Sequence, residues 1–570
     1  MRVPFLALVL ALAGAGVATA ALAGASAPPA EQRHGDRNWP DMHGGSKGWH
    51  YSALDEIDAR NVARLQQVWT HSPDLATEGL ESAPVAADGL IAYCSGSDQV
   101  WVLDGATGRL RWRARVGTGH ADAGDAACRG LAFDGGTLYF AGAGGRVAAW
   151  NAASGEPRWE TQVLPRDSRR GVLSGPPVII GDRMVVGSLV GNPGERGVLL
   201  GIDTHSGREA WRIELAGGPG PAGGHWDGSA SWGSGADRAS GASAWLPGPY
   251  DAGSHTLYWG VGSPLPLFDA AGAYYQTRGP RPGDNLYTAG VLAFDPQTGI
   301  LHAWHQEIPH EVWVQDSAVS EMLLLDRDGR RILVHPNRTG LVFVYSQDLQ
   351  VQRVWQAIRN FNLARAVDPQ NGAFVRRHDL NAGDRLGVCP LYHGGFPGLP
   401  GAYSPQTGLW YKIAAEWCMD IDLDRPLERA AGPAALALGG RVTPVPPPDG
   451  RMRAHLDARD PVSGAKAWTV EFPEPPLASL LVTAGRLLFV ADGRGAVQAL
   501  DAGSGRRLWR ADDHEGHAGG LLTYEAAGHQ YIALVTGWDS HAHPLFGRMF
   551  GAPYNGARTP RASLRVYRLP

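Results

Sequence analysis

Five short segments of this chain place a charged or aromatic side chain among turn-forming residues. They are Glu81 in ESAPVAADG, Arg129 in CRGLAF, Trp245 in GASAWLPGPYD, Asp284 in RPGDNLY and Arg338 in HPNRTG. A carboxylate can accept a proton from a substrate, and a guanidinium group binds carboxylates through paired hydrogen bonds. An indole offers a flat apolar surface to a planar ring. Whether these side chains act together depends on the elements that hold them.

Three of these residues also have a simpler structural explanation. Glu81 could be a solvated loop acid, Asp284 could close an Asx-turn at Gly-Asp-Asn, and Trp245 could be one more structural tryptophan in a chain that has 20.

Two histidine pairs could bind a metal, although short-spaced histidines in polar loops are mostly solvated; they are His514 with His517 and His541 with His543. No C-x-x-C, C-x-x-C-H or Walker motif occurs. Covalently attached c-type haem is thereby excluded, and a thiolate zinc site is disfavoured.

A phrase made of a short strand, a tight turn and a second strand ending in tryptophan recurs along the chain. The copies are VLDGATGRLRW (Val102–Trp112), AWNAASGEPRW (Ala149–Trp159), GIDTHSGREAW (Gly201–Trp211), AFDPQTGILHAW (Ala293–Trp304), VYSQDLQVQRVW (Val344–Trp355), ARDPVSGAKAW (Ala458–Trp468), ALDAGSGRRLW (Ala499–Trp509) and a partial eighth, AYSPQTGLWYK (Ala402–Lys412). A period of about 40–50 residues is typical of propellers, solenoids and arrays. One hairpin cannot bury both of its faces, so the units must stack. We expect each tryptophan to dock onto the neighbouring blade of an all-β propeller.

Composition and the N-terminus indicate a single exported domain. The chain has 570 residues, a net charge of −5, 77 glycines and 41 prolines, which suits a turn-rich β protein and gives little support to nucleic-acid binding. Arg2 precedes an uncharged run of apolar and small residues that ends at Ala27. This pattern predicts a signal peptide over residues 1–27, with an uncleaved membrane anchor as the alternative. Residues 28–570 are then one propeller.

From about Asn38 to the C-terminus, the chain resembles the quinoprotein alcohol dehydrogenases. The resemblance rests on the opening NWPDMHGGSKGWHYSALDEIDARNVARLQQVWT (Asn38–Thr70), on RPGDNLYTAGVLAFDPQTG (Arg281–Gly299) and on the segments around Glu81, Arg129 and Arg338. Members of this family are eight-bladed β-propellers that use pyrroloquinoline quinone (PQQ). The resemblance therefore implies an all-β, eight-bladed fold and a PQQ-dependent oxidation.

The resemblance also implies a role for each matching residue. Asp284 would be the catalytic base, and Trp245 would stack on the plane of the quinone. The remaining positions would contact PQQ through hydrogen bonds and charge; they are Glu81, Arg129, Ser174, Ser243 and Arg338.

The family's calcium site is only partly retained. Its ligands would be Asn192, Ser263 and Asp284, which together make a weak calcium site. A small shift in the alignment could bring Glu195 in instead of Asn192. Leu286, two residues after Asp284, is not acidic, which disfavours a lanthanide. Near the cofactor, Pro397-Gly398 and Leu477 replace aromatic or amide positions of the family, which suggests a wider pocket or lost activity.

The same resemblance bears on the disulfide pairing of the four cysteines. Cys389 and Cys418 match two cysteines of the methanol-dehydrogenase branch, so a disulfide is expected between them. The vicinal disulfide of soluble members is absent, because Ala123-Gly124-Asp125 occupies that stretch. Cys94 and Cys128 are more like the glucose/quinate branch, and whether they are bridged stays open.

The resulting expectation is a periplasmic PQQ-dependent dehydrogenase. It would oxidise an alcohol, polyol or sugar and pass electrons to an external acceptor such as a soluble cytochrome c, because it has no haem of its own. Assembly as a homodimer stays open. Two alternatives remain: a degenerate member that binds PQQ without turnover, and a propeller scaffold for outer-membrane protein assembly.

Overall fold

The computed structural model describes residues 37–73, 75, 80–117, 128–165, 171–192, 194–217, 227–268, 281–318, 321–381, 384–397, 400–423, 441–537, 542–551 and 562–570. The signal peptide predicted for residues 1–27, the stretch 123–125, Gly398 and the side chains of His541 and His543 lie outside the described residues. Within them, no helix is long and apolar enough to cross a membrane.

The described residues form eight four-stranded antiparallel sheets, the blades of a propeller. Blade 1 contains Val85–Ala87, Leu90–Cys94, Gln99–Asp104 and Leu110–Arg115. Blade 2 contains Leu131–Asp134, Thr137–Ala141, Arg146–Asn151 and Pro157–Gln162. Blade 3 contains Val178–Ile180, Arg183–Leu189, Val198–Asp203 and Glu209–Glu214. Blade 4 contains Pro247–Asp251, Thr256–Val261, Gly290–Phe294 and Leu301–Gln306.

The second half of the ring repeats this plan. Blade 5 contains Leu323–Arg327, Arg330–Pro336, Leu341–Ser346 and Val351–Gln356. Blade 6 contains Ala402–Ser404, Leu409–Glu416, Arg453–Arg459 and Lys466–Phe472. Blade 7 contains Leu481–Thr483, Leu487–Ala491, Ala496–Asp501 and Arg507–Asp512. Blade 8 contains Leu521–Ala526, His529–Thr536, Ser563–Arg568 and Gln66–His71.

Smaller elements decorate the blades. They are the strands Tyr51–Ser52 and Val172–Leu173, the hairpin Ala364–Val367 with Phe374–Arg377, the three-stranded sheet Arg385–Val388, Cys418–Asp422 and Arg441–Val445, the 3-10 helices Val62–Arg64 and Ser229–Arg238, and the α-helix Ala542–Phe550.

Burial explains the sequence pattern of the strands. Second and third strands are mostly buried and mostly apolar, as in LIAYC (Leu90–Cys94). Outer strands alternate between exposed and half-buried residues, as in LRWRAR (Leu110–Arg115), because only one face meets a neighbour.

The two ends of the chain close the ring in blade 8. The outer strand of this blade, Gln66–His71, comes from the N-terminal region and pairs with Ser563–Arg568 near the C-terminus. The eighth tryptophan phrase is therefore split between the chain ends, and Trp69 supplies its tryptophan. The partial copy predicted at Ala402–Lys412 was wrong, because this segment is the first hairpin of blade 6 rather than an outer one.

Six of the phrase tryptophans dock onto the next blade as predicted. In blade 1, Trp112 donates its indole N–H to the carbonyl of Ala152 in the turn of blade 2, at 2.8 Å. Trp159, Trp211, Trp355, Trp468 and Trp509 make the same kind of bond to the next blade. The turn glycine, such as Gly155, lies flat against the ring of the preceding blade's tryptophan.

One end of the propeller carries all the predicted site residues. Because neighbouring strands run antiparallel, the first strand begins and the second strand ends at the same end of each blade, which we call the site end. Eight backbone hydrogen bonds join all neighbouring blades there: Ala83 N to Arg129 O, Arg129 N to Ser174 O, Ala244 N to Ser188 O, Ser317 N to Val261 O, Gly395 N to Arg338 O, Leu480 N to Pro400 O, Ser479 N to Gly519 O and Gly520 N to Ser82 O. This inner ring positions the site.

Candidate active site

Arg129 lies at the centre of the best-defined cluster at the site end. Its guanidinium donates to the Glu81 carboxylate at 3.2 Å and to the Ser174 hydroxyl at 2.8 Å, and it stacks over the Trp245 ring at 4.6 Å. Arg129 and Glu81 are each 8% exposed. Residues from blades 1 to 4 thus meet at one point, because each lies just before the first strand of its blade.

Ser243, Ser263 and Asn192 lie beside this cluster on blades 3 and 4. The Ser243 hydroxyl donates to the carbonyl of Val190 at 3.2 Å and accepts from its N–H at 3.1 Å. Ser263 follows Gly262, whose N–H donates to the carbonyl of Ser243. The buried hydroxyl of Ser263 has no hydrogen-bond partner among the residues that the structure describes. Asn192 donates its side-chain amide to Glu195 at 2.9 Å.

Asp284 lies apart from these contacts. It is exposed, in the long connection between the second and third strands of blade 4. Its backbone carbonyl accepts from Gln306 and His310. Within the described residues, no hydrogen bond or ion pair joins its carboxylate to any other predicted site residue. Burial lowers the pKa of the Arg377 guanidinium, and the negative charge of Asp284 is one of the influences that oppose this lowering.

Arg338 faces a second carboxylate, Asp316, which the sequence reasoning missed. The guanidinium lies 3.6 Å from the Asp316 carboxylate, and the Arg338 backbone N–H donates to the Asp316 carbonyl. Both side chains are mostly buried, 18% and 13% exposed. Gly394 packs against the aliphatic stem of Arg338, where a Cβ would lie 2.0 Å from Cγ. The only sequence signal for Asp316 was an acidic residue just ahead of the first strand of blade 5.

The predicted calcium ligands do not fit a calcium ion. The Glu195 carboxylate, the nearest alternative, accepts the backbone N–H groups of Gly191 and Asn192 and is turned into its own loop. Asn192 and Ser263 are neutral, and no hydrogen bond or ion pair of the described residues joins the exposed Asp284 to either of them. Among the described residues, no group of three or more His, Cys, Asp or Glu side chains could hold a metal. Calcium prefers several charged oxygen ligands, so these residues make a poor calcium site.

Two disulfides brace the site end. Cys94 and Cys128, whose pairing the sequence left open, form a disulfide that places a sulfur next to Arg129. Cys389 is joined to Cys418, the pair that the resemblance implied. Cys389 immediately precedes the loop that packs on Arg338.

An apolar layer covers the site end. Side chains from the loops of blades 3 to 8 pack into one buried cluster that includes Val190, Leu265, Phe268, Val314, Leu391, Trp417, Leu477, Ala518 and Phe546. Leu477 is a packed member of this layer, 8% exposed. His517 is also buried here, and its Nε2 lies 3.3 Å from Oδ1 of Asp513. The expectation that this histidine is solvated was therefore wrong. His514 in the same loop has a positive φ of 59°.

Known families match this chain in two parts. The family model "Glucose/ethanol/alcohol dehydrogenase, beta-propeller domain", which carries the label PQQ, matches residues 39–348, more than half of the chain. A second model, "Outer membrane protein assembly factor BamB", matches residues 359–536.

Similar proteins agree with the first match. A quinohemoprotein alcohol dehydrogenase of Comamonas testosteroni is 28% identical over 529 residues, 88% of this chain and 73% of the relative. The quinoprotein alcohol dehydrogenase PedH of Pseudomonas putida is 28% identical and covers 88% of this chain and 86% of its own length. The structure of quinohemoprotein alcohol dehydrogenase ADHIIG from Pseudomonas putida HK5 superposes with a TM-score of 0.82 at 25% identity, covering 96% and 82% of the two chains.

A europium-containing methanol dehydrogenase gives the same TM-score of 0.82 at 24% identity, over 94% of this chain and 99% of the other, and shows the same fold. The family match, the eight blades and the Arg129 cluster lead to one conclusion. The chain belongs to the family of PQQ-dependent glucose, ethanol and alcohol dehydrogenase β-propellers and is an oxidoreductase of the quinoprotein alcohol dehydrogenase type.

Proposed function

We propose that this protein oxidises an alcohol, polyol or sugar with PQQ bound at the site end of the propeller. The observation that carries the proposal is the Arg129 cluster, in which a buried guanidinium, a carboxylate, a hydroxyl and an indole from four blades meet. PQQ is a planar tricarboxylate, and an arginine beside an indole suits both its charge and its shape. Bound PQQ would supply the hydride acceptor.

The residues of this chain would bind, orient and deprotonate. Arg129 would bind the acidic groups of the quinone and Arg338 its carbonyls. Ser174 and Ser243 would form hydrogen bonds with the quinone, and Glu81 would lie beside it. Trp245 would stack on its plane, and the apolar layer around Leu477 would keep water from the inner ring.

Two carboxylates are candidates for the catalytic base. Asp284 is the residue that the family resemblance nominates. Asp316 is favoured by its ion pair with Arg338, which would place it beside a quinone carbonyl. Either carboxylate would take the hydroxyl proton of the alcohol while hydride leaves its carbon, which yields an aldehyde or ketone.

We infer the electron acceptor and the compartment from the sequence and the disulfides. Without a C-x-x-C-H motif the chain attaches no c-type haem, so a separate cytochrome c is the simplest acceptor. The apolar N-terminal run predicts export to the periplasm. Two disulfides are consistent with an oxidising compartment.

Reconstitution of the purified protein tests the proposal. PQQ is added with and without Ca²⁺, and dye reduction is followed with a panel of alcohols, polyols and sugars, in the wild type and in Asp284→Asn and Asp316→Asn. Loss of the base should lower the rate about 10²–10⁴-fold. Asp326→Asn is the matched control, because Asp326 lies next to the last residue of the first strand of blade 5 and therefore near the opposite end of the propeller.

The outcomes distinguish the two candidate bases and the alternative functions. A large loss only in Asp316→Asn assigns the base to Asp316, and a large loss only in Asp284→Asn assigns it to Asp284. PQQ binding without turnover of any substrate would identify a degenerate member. Failure to bind PQQ at all would remove the quinoprotein proposal and favour a scaffold, the function suggested by the family match of residues 359–536.

A further inference from the structure

A fully buried carboxylate, Glu307, lies between blades 4 and 5. It directly follows the outer strand of blade 4, and its side chain is 0% exposed. Four side chains of the blade 5 region surround it within hydrogen-bond distance: His335 Nδ1 at 2.8 Å, Ser317 Oγ at 2.6 Å, Asn337 Nδ2 at 2.8 Å and Tyr345 OH at 2.8 Å. Polar groups this deeply buried are kept only where they are well satisfied.

Two of these donors are the chain neighbours of the Arg338–Asp316 pair. Ser317 follows Asp316, and Asn337 precedes Arg338. The amide of Asn337 also donates to the Ser317 hydroxyl at 3.0 Å, so one carboxylate ties both segments together. The Ser317 backbone N–H completes the inner ring with Val261.

We propose that Glu307 is a positioning residue that fixes the Arg338 guanidinium and the Asp316 carboxylate for the quinone. The inference rests on the proposed function, in which Arg338 binds PQQ. Glu307 does not itself touch the cofactor; it acts through Ser317 and Asn337, which set the backbone on either side of the ion pair.

The charge state of Glu307 supports this role. Burial alone would raise the pKa of its carboxyl, but the electrostatic effect of His335 and the hydrogen bonds from Ser317 and Asn337 outweigh burial and lower it. The ionised carboxylate only accepts hydrogen bonds, which matches donors on every side. A glutamine has the same shape but presents an NH₂ group to at least one of these donors.

The test compares Glu307→Gln with Glu321→Gln. Glu321 is an equally buried glutamate, one blade boundary further on; it binds Lys412 at 2.6 Å and the Trp410 indole at 3.1 Å. The readouts are PQQ affinity, by quenching of tryptophan fluorescence, the thermal midpoint, and kcat and KM for an alcohol. We expect Glu307→Gln to raise the PQQ dissociation constant about tenfold or more and to lower kcat, with the KM for the alcohol little changed.

The control separates positioning from stability. Both variants should lower the thermal midpoint, but Glu321→Gln should leave the PQQ dissociation constant within about twofold of the wild type. Equal losses of affinity in both variants, or unchanged affinity in Glu307→Gln, would overturn the inference. If Glu307→Gln fails to fold, Ser317→Ala decides, because it removes one donor and leaves the carboxylate; unchanged affinity there refutes the inference. A wild type that binds no PQQ refutes the proposed function instead.

Discussion

Replacing Gly155 by alanine should weaken the contact between blades 1 and 2. Gly155 has a φ of +75°, and a Cβ there would lie 2.6 Å from Cγ of Trp112 on the preceding blade. The left-handed backbone costs an alanine about 1–2 kcal/mol, and the clash with the indole adds about 1–3 kcal/mol of overpacking. We therefore expect a loss of about 2–5 kcal/mol in the free energy of unfolding.

The matched control is Gly89→Ala. Gly89 has nearly the same φ, +76°, but a Cβ there would meet nothing within 4 Å. Only the backbone cost of about 1–2 kcal/mol should remain. The assay is denaturant unfolding of both variants and of Gly155→Ala combined with Trp112→Leu, which should relieve the clash. Equal losses for Gly155→Ala and Gly89→Ala would refute the idea that tryptophan docking on the turn glycine joins the blades.

Two further predictions concern covalent and charged contacts. Replacing Cys389 and Cys418 by serine opens a loop of 29 residues and should lower the free energy of unfolding by about 3–4 kcal/mol, measured with and without reductant. Burial raises the pKa of Glu416, but hydrogen bonds from His455, Arg359 N–H and Asn360 lower it to about 2. The contribution of Glu416 to the free energy of unfolding, about 2–3 kcal/mol, is therefore complete above the unfolded pKa near 4.5 and is lost as the pH falls toward 2. Between pH 6 and pH 3 the free energy of unfolding should fall less steeply with pH for Glu416→Gln than for the wild type. Parallel pH dependences of the two proteins would contradict this.

The repeat of the fold could be predicted because each blade carries its own signal. A turn glycine with positive φ and a tryptophan that needs a neighbour recur in the outer hairpins, so the phrase alone predicted stacked units. The same turn chemistry also serves inner hairpins, which is why AYSPQTGLWYK was misread. The closing strand Gln66–His71 could not be recognised from periodicity, because its partner lies almost 500 residues further along the chain.

The candidate site was only partly predictable. Arg129, Glu81, Ser174 and Trp245 come from separate stretches that carry recognisable motifs, and the structure brings them into contact. Asp316 carries no such motif; its importance depends on Arg338, which lies across the blade on the inner ring. The bridge between Cys94 and Cys128 likewise depends on how the second strand of blade 1 meets the first strand of blade 2.

Single-turnover reduction of bound PQQ tests the central claim most directly. The protein is loaded with one equivalent of PQQ without oxygen, an alcohol is added, and the quinone absorbance is recorded beside the carbonyl product. The account predicts one quinone reduced and one aldehyde or ketone formed per protein, with weaker PQQ binding in Trp245→Ala than in Trp304→Ala, a tryptophan in the outer strand of blade 4. A protein that binds no PQQ, or whose bound quinone keeps its absorbance with every alcohol tested, would contradict it.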